Sequence, residues 1–269
     1  MSLVLISFYY LPKESDLQMT LFISSYLFIL GLILGSFYNV VGLRVPVRES
    51  IVHPPSRCPS CETRLKPFDL IPVISYLLSR GKCRHCCSRV SPLYPLGELA
   101  TGLLFVWIYL NFGNSWETLT GLLLVSLSVM ITVSDLKYML IPNRILLVFT
   151  PFFLVLRLLY PLESIWLHFW GAIAGGGVLL FIVVITRGGM GSGDVKLFCL
   201  LGWVLGLYNI IPAFIIACLI GSVVGGGLML FKLIKPKQPI PFGPFLLIGS
   251  LLSFTFGSTI ISFYLSIFN

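Results

Sequence analysis

Long apolar runs broken by short polar stretches set the pattern of this chain. Runs at residues 20–43, 93–110, 118–134, 145–159, 165–186, 197–231 and 245–268 approach or exceed the length that carries a helix across about 30 Å of hydrocarbon. The run at 197–231 has 35 residues, too long for one ordinary span and just enough for two tight ones. Gly206 to Asn209, with Pro212 just beyond, is the expected turn. The competing reading makes 197–208 a re-entrant or buried half-helix. A further apolar run, residues 3–11, is short, has no basic residues before it and is followed by Lys13, Glu14 and Asp16. It does not have the make-up of a cleaved signal peptide.

Composition turns these runs into membrane spans. Of 269 residues, 57% are hydrophobic and 10% charged, where soluble domains carry about a quarter charged residues. So few charges cannot clothe a water-facing surface, and lipid must be the solvent for most of the chain. The expected fold is an all-α membrane protein of about eight transmembrane helices.

Charge then fixes the count and the orientation. With eight spans and the N-terminus outside, four loops face the cytoplasm. The first, residues 44–92, holds nine Lys/Arg. The others hold Lys137 and Arg144, Arg187 and Lys196, and Lys232, Lys235 and Lys237. That places 16 of the 18 basic residues inside and leaves Lys13 and Arg157 near the outer face. Seven spans would put the last three lysines outside, so the positive-inside bias selects eight. The expected organisation is an N-terminal segment with the first helix (1–43), a cytoplasmic loop (44–92) and a transmembrane core (93–269). The basic residues are not interleaved with stacking aromatics on a soluble module, which argues against nucleic acid. Membrane lipid is the partner they fit.

The loop has its own chemistry. Cys58-Pro-Ser-Cys61 and Cys83-Arg-His-Cys86 stand 21 residues apart, the spacing of a four-cysteine zinc ribbon in which each pair grips the metal from a tight turn. The intervening segment is expected to return as a small hairpin. A cytosolic loop is kept reduced, which disfavours disulfides, and the nearby Lys and Arg offset the charge of four thiolates. Cys87 or His85 could replace Cys86 as the fourth ligand. A site closed by four cysteines leaves no position for water and is structural. His168 sits near the outer start of a span and reads as interfacial.

Most of the ten acidic residues fall in loops or outer segments, but Glu98, Asp135 and Asp194 lie at or inside spans, where ionisable groups are costly and are functional candidates. Asp135 ends the third span and Asp194 opens the sixth, so both lie at the cytoplasmic face. Gly188, Gly189, Gly191 and Gly193 precede Asp194 and let backbone approach backbone, such as an extended substrate. Two carboxylates brought together share one proton, one acting as base towards water and the other as acid towards the scissile group. The plainer alternative pairs Asp194 with Lys196, and Asp135 with Lys137 or Arg144, as ordinary juxtamembrane charges.

Taken together, these motifs resemble the bacterial type IV prepilin peptidases, which are similar to presenilin-type membrane aspartyl proteases in their Gly-x-Gly-Asp motif. Gly35-Ser-Phe-Tyr-Asn39 through Arg44-Val-Pro46 resembles that family's first-span exit, and the knuckles with Ile71-Pro-Val-Ile-Ser-Tyr76 resemble its zinc loop. Tyr94-Pro-Leu-Gly-Glu98, Asp135 with Ile141-Pro142-Asn143, Gly189-Met-Gly-Ser-Gly-Asp194-Val-Lys196 and Pro241-Phe-Gly-Pro-Phe245 follow in the same order. Tyr38, Asn143 and the extra Cys87 depart from the pattern. The resemblance implies cleavage of a short basic leader from prepilins or pseudopilins, usually between glycine and phenylalanine, with Asp135 and Asp194 as the peptidase dyad. It also implies methylation of the new α-amino group by S-adenosylmethionine, with Zn held by Cys58, Cys61, Cys83 and Cys86 as a structural ion. Glu98, Gly191, Gly193 and Lys196 are the candidate substrate contacts. No glycine-rich nucleotide motif on a βαβ unit is visible, so the sequence shows no methyl-donor site.

Two other classes compete. A transporter using the aspartates as a proton relay should carry ionisable groups through mid-bilayer, whereas here they gather at one face. A scaffold would use the zinc loop for docking and leave the aspartates incidental.

Overall fold

A computed structural model describes residues 14–186, 190–235 and 238–268. Eight α-helices follow in order: α1 Glu14–Arg44, α2 Ile74–Leu78, α3 Leu93–Phe112, α4 Trp116–Tyr138, α5 Asn143–Leu159, α6 Ile165–Ile185, α7 Ser192–Leu230 and α8 Gly243–Phe268. Lys13, Arg187, Gly188, Gly189 and Lys237 of the sequence reading lie outside the described residues. Six of these helices, all but α2 and α5, are long and apolar enough to cross a membrane.

The 39-residue α7 is two helices rather than one. Gly206 has φ 79° and ψ 173°, a conformation open in practice only to glycine, and the chain folds back there. The rings of Phe198 and Phe214 lie 5.8 Å apart, while sixteen residues of straight helix would span about 24 Å. The expected turn therefore falls where Gly206 predicts, and 197–208 is one limb of a hairpin. Counting the two limbs of α7 separately and adding the 17-residue α5, the described residues hold eight long helical segments, of which α5 alone belongs to no helix with the length and apolarity of a span.

Breaking the helix at Gly206 frees carbonyls that would otherwise accept bonds four residues on. Buried side chains from neighbouring helices take them. His168 Nδ1 is 2.8 Å from Trp203 O, and Arg157 Nε donates to Val204 O at 2.8 Å. Arg157 also makes a two-pronged ion pair with Glu117, at 2.7 and 3.0 Å, and its guanidinium lies over the Phe254 ring. Arg157 and His168 are both fully buried. The interfacial reading of His168 is thus corrected: it lies inside the bundle, capping the first limb of α7.

Helices pack through small residues, since lipid removes the hydrophobic drive between them. A methyl group at Gly31 of α1 would fall 2.7 Å from Gly102 Cα of α3, and one at Gly171 of α6 would fall 2.5 Å from Gly202 O of α7. α4 is the most enclosed of the six helices long and apolar enough to span. It carries Leu124, Leu127 and Ile131 into the core with Phe105, Phe153, Phe198 and Leu246.

Candidate active site and metal centre

The last turn of α4 carries Asp135 and the first turn of α7 carries Asp194. α4 stops three residues later because Met139 turns left-handed (φ 52°) and returns its N–H to Asp135 O at 2.8 Å. α7 starts from Gly191, whose carbonyl accepts the Asp194 N–H at 3.2 Å. A carboxylate in a first turn is favoured by the helix dipole. Helix ends, not helix middles, therefore present both acids.

Asp135 is 5% exposed and Asp194 9%, and the two are close enough to interact electrostatically. Asp135 Oδ2 accepts the N–H of Gly243, the first residue of α8, at 3.0 Å. Asp194 Oδ1 is buried with no hydrogen-bond partner among the described residues. Ile141, in the turn after α4, joins the three segments. A methyl group at Gly193 would lie 2.9 Å from Ile141 Cβ, and one at Gly243 3.5 Å from Ile141 Cδ1. Among the described residues neither aspartate has an ion-pair partner. Lys196 donates instead to Asn143 Oδ1 at 3.1 Å, tying the start of α5 to α7. The pairing of each acid with a neighbouring base, the plainer alternative, is not formed.

The other candidate residues divide. Gly191 is exposed beside Asp194, whereas Gly193 is half-buried against Ile141. Glu98 is buried. It accepts the Val73 N–H at 2.7 Å, which links it to the cysteine loop, and its backbone lies against Gly35 of α1. Sequence reasoning gave Ile141 and Gly243 no role, although both lie in quoted motifs. What was missing was the contact between those motifs.

In the loop, the four thiols of Cys58, Cys61, Cys83 and Cys86 lie within 4.8 Å of one another. Cys58 and Cys86 Sγ are 3.8 Å apart, and four sulfurs at ~2.3 Å from one zinc stand ~3.8 Å apart in a tetrahedron. Each knuckle is built the same way. One antiparallel bridge, Arg57 to Arg64 or Lys82 to Arg89, closes it. The residue after its second cysteine, Glu62 or Cys87, takes a left-handed turn (φ 55° and 58°) and returns its N–H to Cys58 O or Cys83 O at 2.9 Å. Cys87 thus has the turn position that Glu62 has in the other knuckle, and Cys86 is the fourth member of the cluster. Backbone N–H groups of Cys61 and Ser60, with the Ser88 hydroxyl, hold the Cys58 thiol down to about 6, which favours the thiolate form that ligates metal. The donor set suits a soft divalent cation, zinc above all. Between the knuckles the chain forms a 3₁₀ turn, Pro67–Leu70, and α2, not the expected hairpin. Pro67 and Pro72 each withhold a backbone N–H from any strand ladder.

These motifs lie on a chain with clear relatives. The bacterial peptidase A24 N-terminal domain matches residues 29–112, and the type IV leader peptidase family matches residues 122–226. A Bacillus subtilis protein named prepilin leader peptidase/N-methyltransferase is 44% identical over 241 residues, covering 90% of this chain and 97% of that protein. The chain belongs to the type IV leader peptidase family. Members of the same name from Stutzerimonas stutzeri and Neisseria gonorrhoeae are 33% and 32% identical, covering 88% and 84% of this chain and 92% and 88% of theirs. No solved structure matches the chain.

Proposed function

We propose that this membrane enzyme cleaves the leader from type IV prepilins and methylates the new N-terminus, with Asp135 and Asp194 as its peptidase dyad. The observation that carries the dyad is the buried Asp194 Oδ1, without a partner among the described residues, beside an Asp135 whose Oδ2 is fixed by the Gly243 N–H. Two enclosed carboxylates brought together, here with no counter-ion among the described residues, share one proton. The ionised one takes a proton from water, whose oxygen attacks the scissile carbonyl, and the protonated one gives its proton to the amine nitrogen as the C–N bond breaks. Exposed Gly191 gives an extended leader backbone room to approach Asp194. Gly193 and Lys196 serve the same segment by packing and by the bond to Asn143. Glu98 fits a positioning role through Val73 better than direct contact with substrate.

Cys58, Cys61, Cys83 and Cys86 would hold zinc, which supplies no chemistry to the cleavage and fixes the loop's shape. The concentration of basic residues in one set of loops supports a cytoplasmic position for that loop and both aspartates. It goes with the division into residues 1–43, 44–92 and 93–269. S-adenosylmethionine is the proposed methyl donor.

The reading is tested by incubating purified protein with a synthetic prepilin holding a Gly–Phe junction and labelled S-adenosylmethionine, then analysing the products by mass. Release of the leader and label on the new phenylalanine amine are expected. Leader release without label would reduce the enzyme to a peptidase, and no release would refute the proposal.

A further inference from the structure

The segment between the knuckles carries an apolar surface that no other described part of the chain covers. Phe68 is 72% exposed, Ile74 54%, Leu77 67% and Leu78 73%. Ile74, Leu77 and Leu78 stand at i, i+3 and i+4, so they share one face of the single turn α2. Exposed basic residues flank this segment in the chain: Lys66, Arg80, Lys82 and Arg84. The one acid from 66 to 84 is Asp69, which pairs with Arg84 at 3.3 Å.

Hydrogen bonds fix the height of this surface. The N–H of Val73, the residue before α2, is held at 2.7 Å by Glu98. Glu98 lies five residues past the start of the membrane helix α3, about 7.5 Å along its axis. The interfacial layer of a bilayer is roughly 5–7 Å deep on each side. The start of α2 is therefore tied to the opening turns of α3 rather than held away from that helix. Arg44, the last residue of α1, ties down the other end of the loop by donating to Ser50 O at 3.0 Å and Pro54 O at 2.8 Å.

We propose that residues 66–84 are an interfacial anchor. Phe68, Ile74, Leu77 and Leu78 bed at the headgroup–acyl boundary, and Lys66, Arg80 and Lys82 meet anionic headgroups. Charge names the partner: the loop at 44–92 carries nine Lys/Arg against three acids, which suits an anionic leaflet. Glu98 then does two things, holding α2 at interfacial depth and joining the metal loop to the membrane helices. This inference rests on the membrane spans and not on the peptidase reading.

The test places a benzophenone amino acid at Phe68, at Leu78 or, as a control, at Glu62, an exposed knuckle residue. Each full-length variant is set in nanodiscs of mixed phosphatidylglycerol and phosphatidylcholine. Metal content equal to the parent's certifies the loop, and adducts are identified by mass after irradiation. Lipid adducts at 68 and 78 several-fold above those at 62, enriched in phosphatidylglycerol over its mole fraction, are expected. Yields at 68 and 78 no higher than at 62, adducts to a second copy of the chain, or no phosphatidylglycerol enrichment would overturn the proposal.

Discussion

A methyl group on residue 243 would sit 2.7 Å from Asp135 Oδ2, closer than a carbon can come to that oxygen. Gly243→Ala should therefore push α8 or the carboxylate aside and lengthen the 3.0 Å bond from its N–H. Leader cleavage is expected to fall about 10- to 100-fold, as for a misplacement of roughly 1 Å, with metal content unchanged. Product formation measured beside metal analysis checks this. At this scale the sequence showed the acids and hid their company. Asp135 and Asp194 stand out because acids at span ends are rare. That Ile141 and Gly243 meet between them depends on three segments converging, which no local pattern records. His168 was misread for a related reason: its position along the span says outer end, but the carbonyl it caps is exposed only because another helix breaks.

The broken helix is the element on which the half of the bundle away from the aspartates turns. Its break was legible in Gly206 and in a run too long for one span, whereas the groups that make the break tolerable were not. Arg157 sat in the sequence as one stray cation on the wrong side of the charge pattern. In the fold it is fully buried, paired with Glu117 and bonded to Val204 O. Removing one partner of such a pair leaves a buried charge uncompensated, at about 3–5 kcal/mol. Arg157→Gln should lower the thermal midpoint of the purified protein by several degrees. Restoring neutrality with Glu117→Gln in the same chain should recover part of the loss. A midpoint unchanged by Arg157→Gln would remove this explanation of the α7 turn.

Across the whole molecule, the cysteine loop and the helical core are held by different forces. The loop has one 3₁₀ turn, the five-residue α2 and two isolated bridges, too little structure to keep its shape without a bound ion. The core is packed by glycine contacts and buried apolar residues that need no metal. Purified protein should carry one zinc per chain, and Cys83→Ser should lose it while helical circular dichroism stays within about a tenth of the parent's. Collapse of the helical signal with the metal would show that the loop organises the core as well. The fold class, the turn in α7 and the cysteine cluster could all be read in advance, since each is written in run length, charge or spacing. The hairpin expected between the knuckles was ruled out by signals already present, Pro67 and Pro72, whereas the bond from the Val73 N–H to Glu98 joins positions 25 residues apart that no local pattern connects.

The central claim is that Asp135 and Asp194 act as one unit. Single-turnover leader release should be measured for the parent, Asp135→Asn, Asp194→Asn and the double variant, all reconstituted in the same lipid. Both single variants are expected to fall at least ~10³-fold, to the floor set by the double variant, since residues that act together do not add. A single variant that cleaves at the parent's rate, or losses that multiply in the double variant, would contradict the dyad.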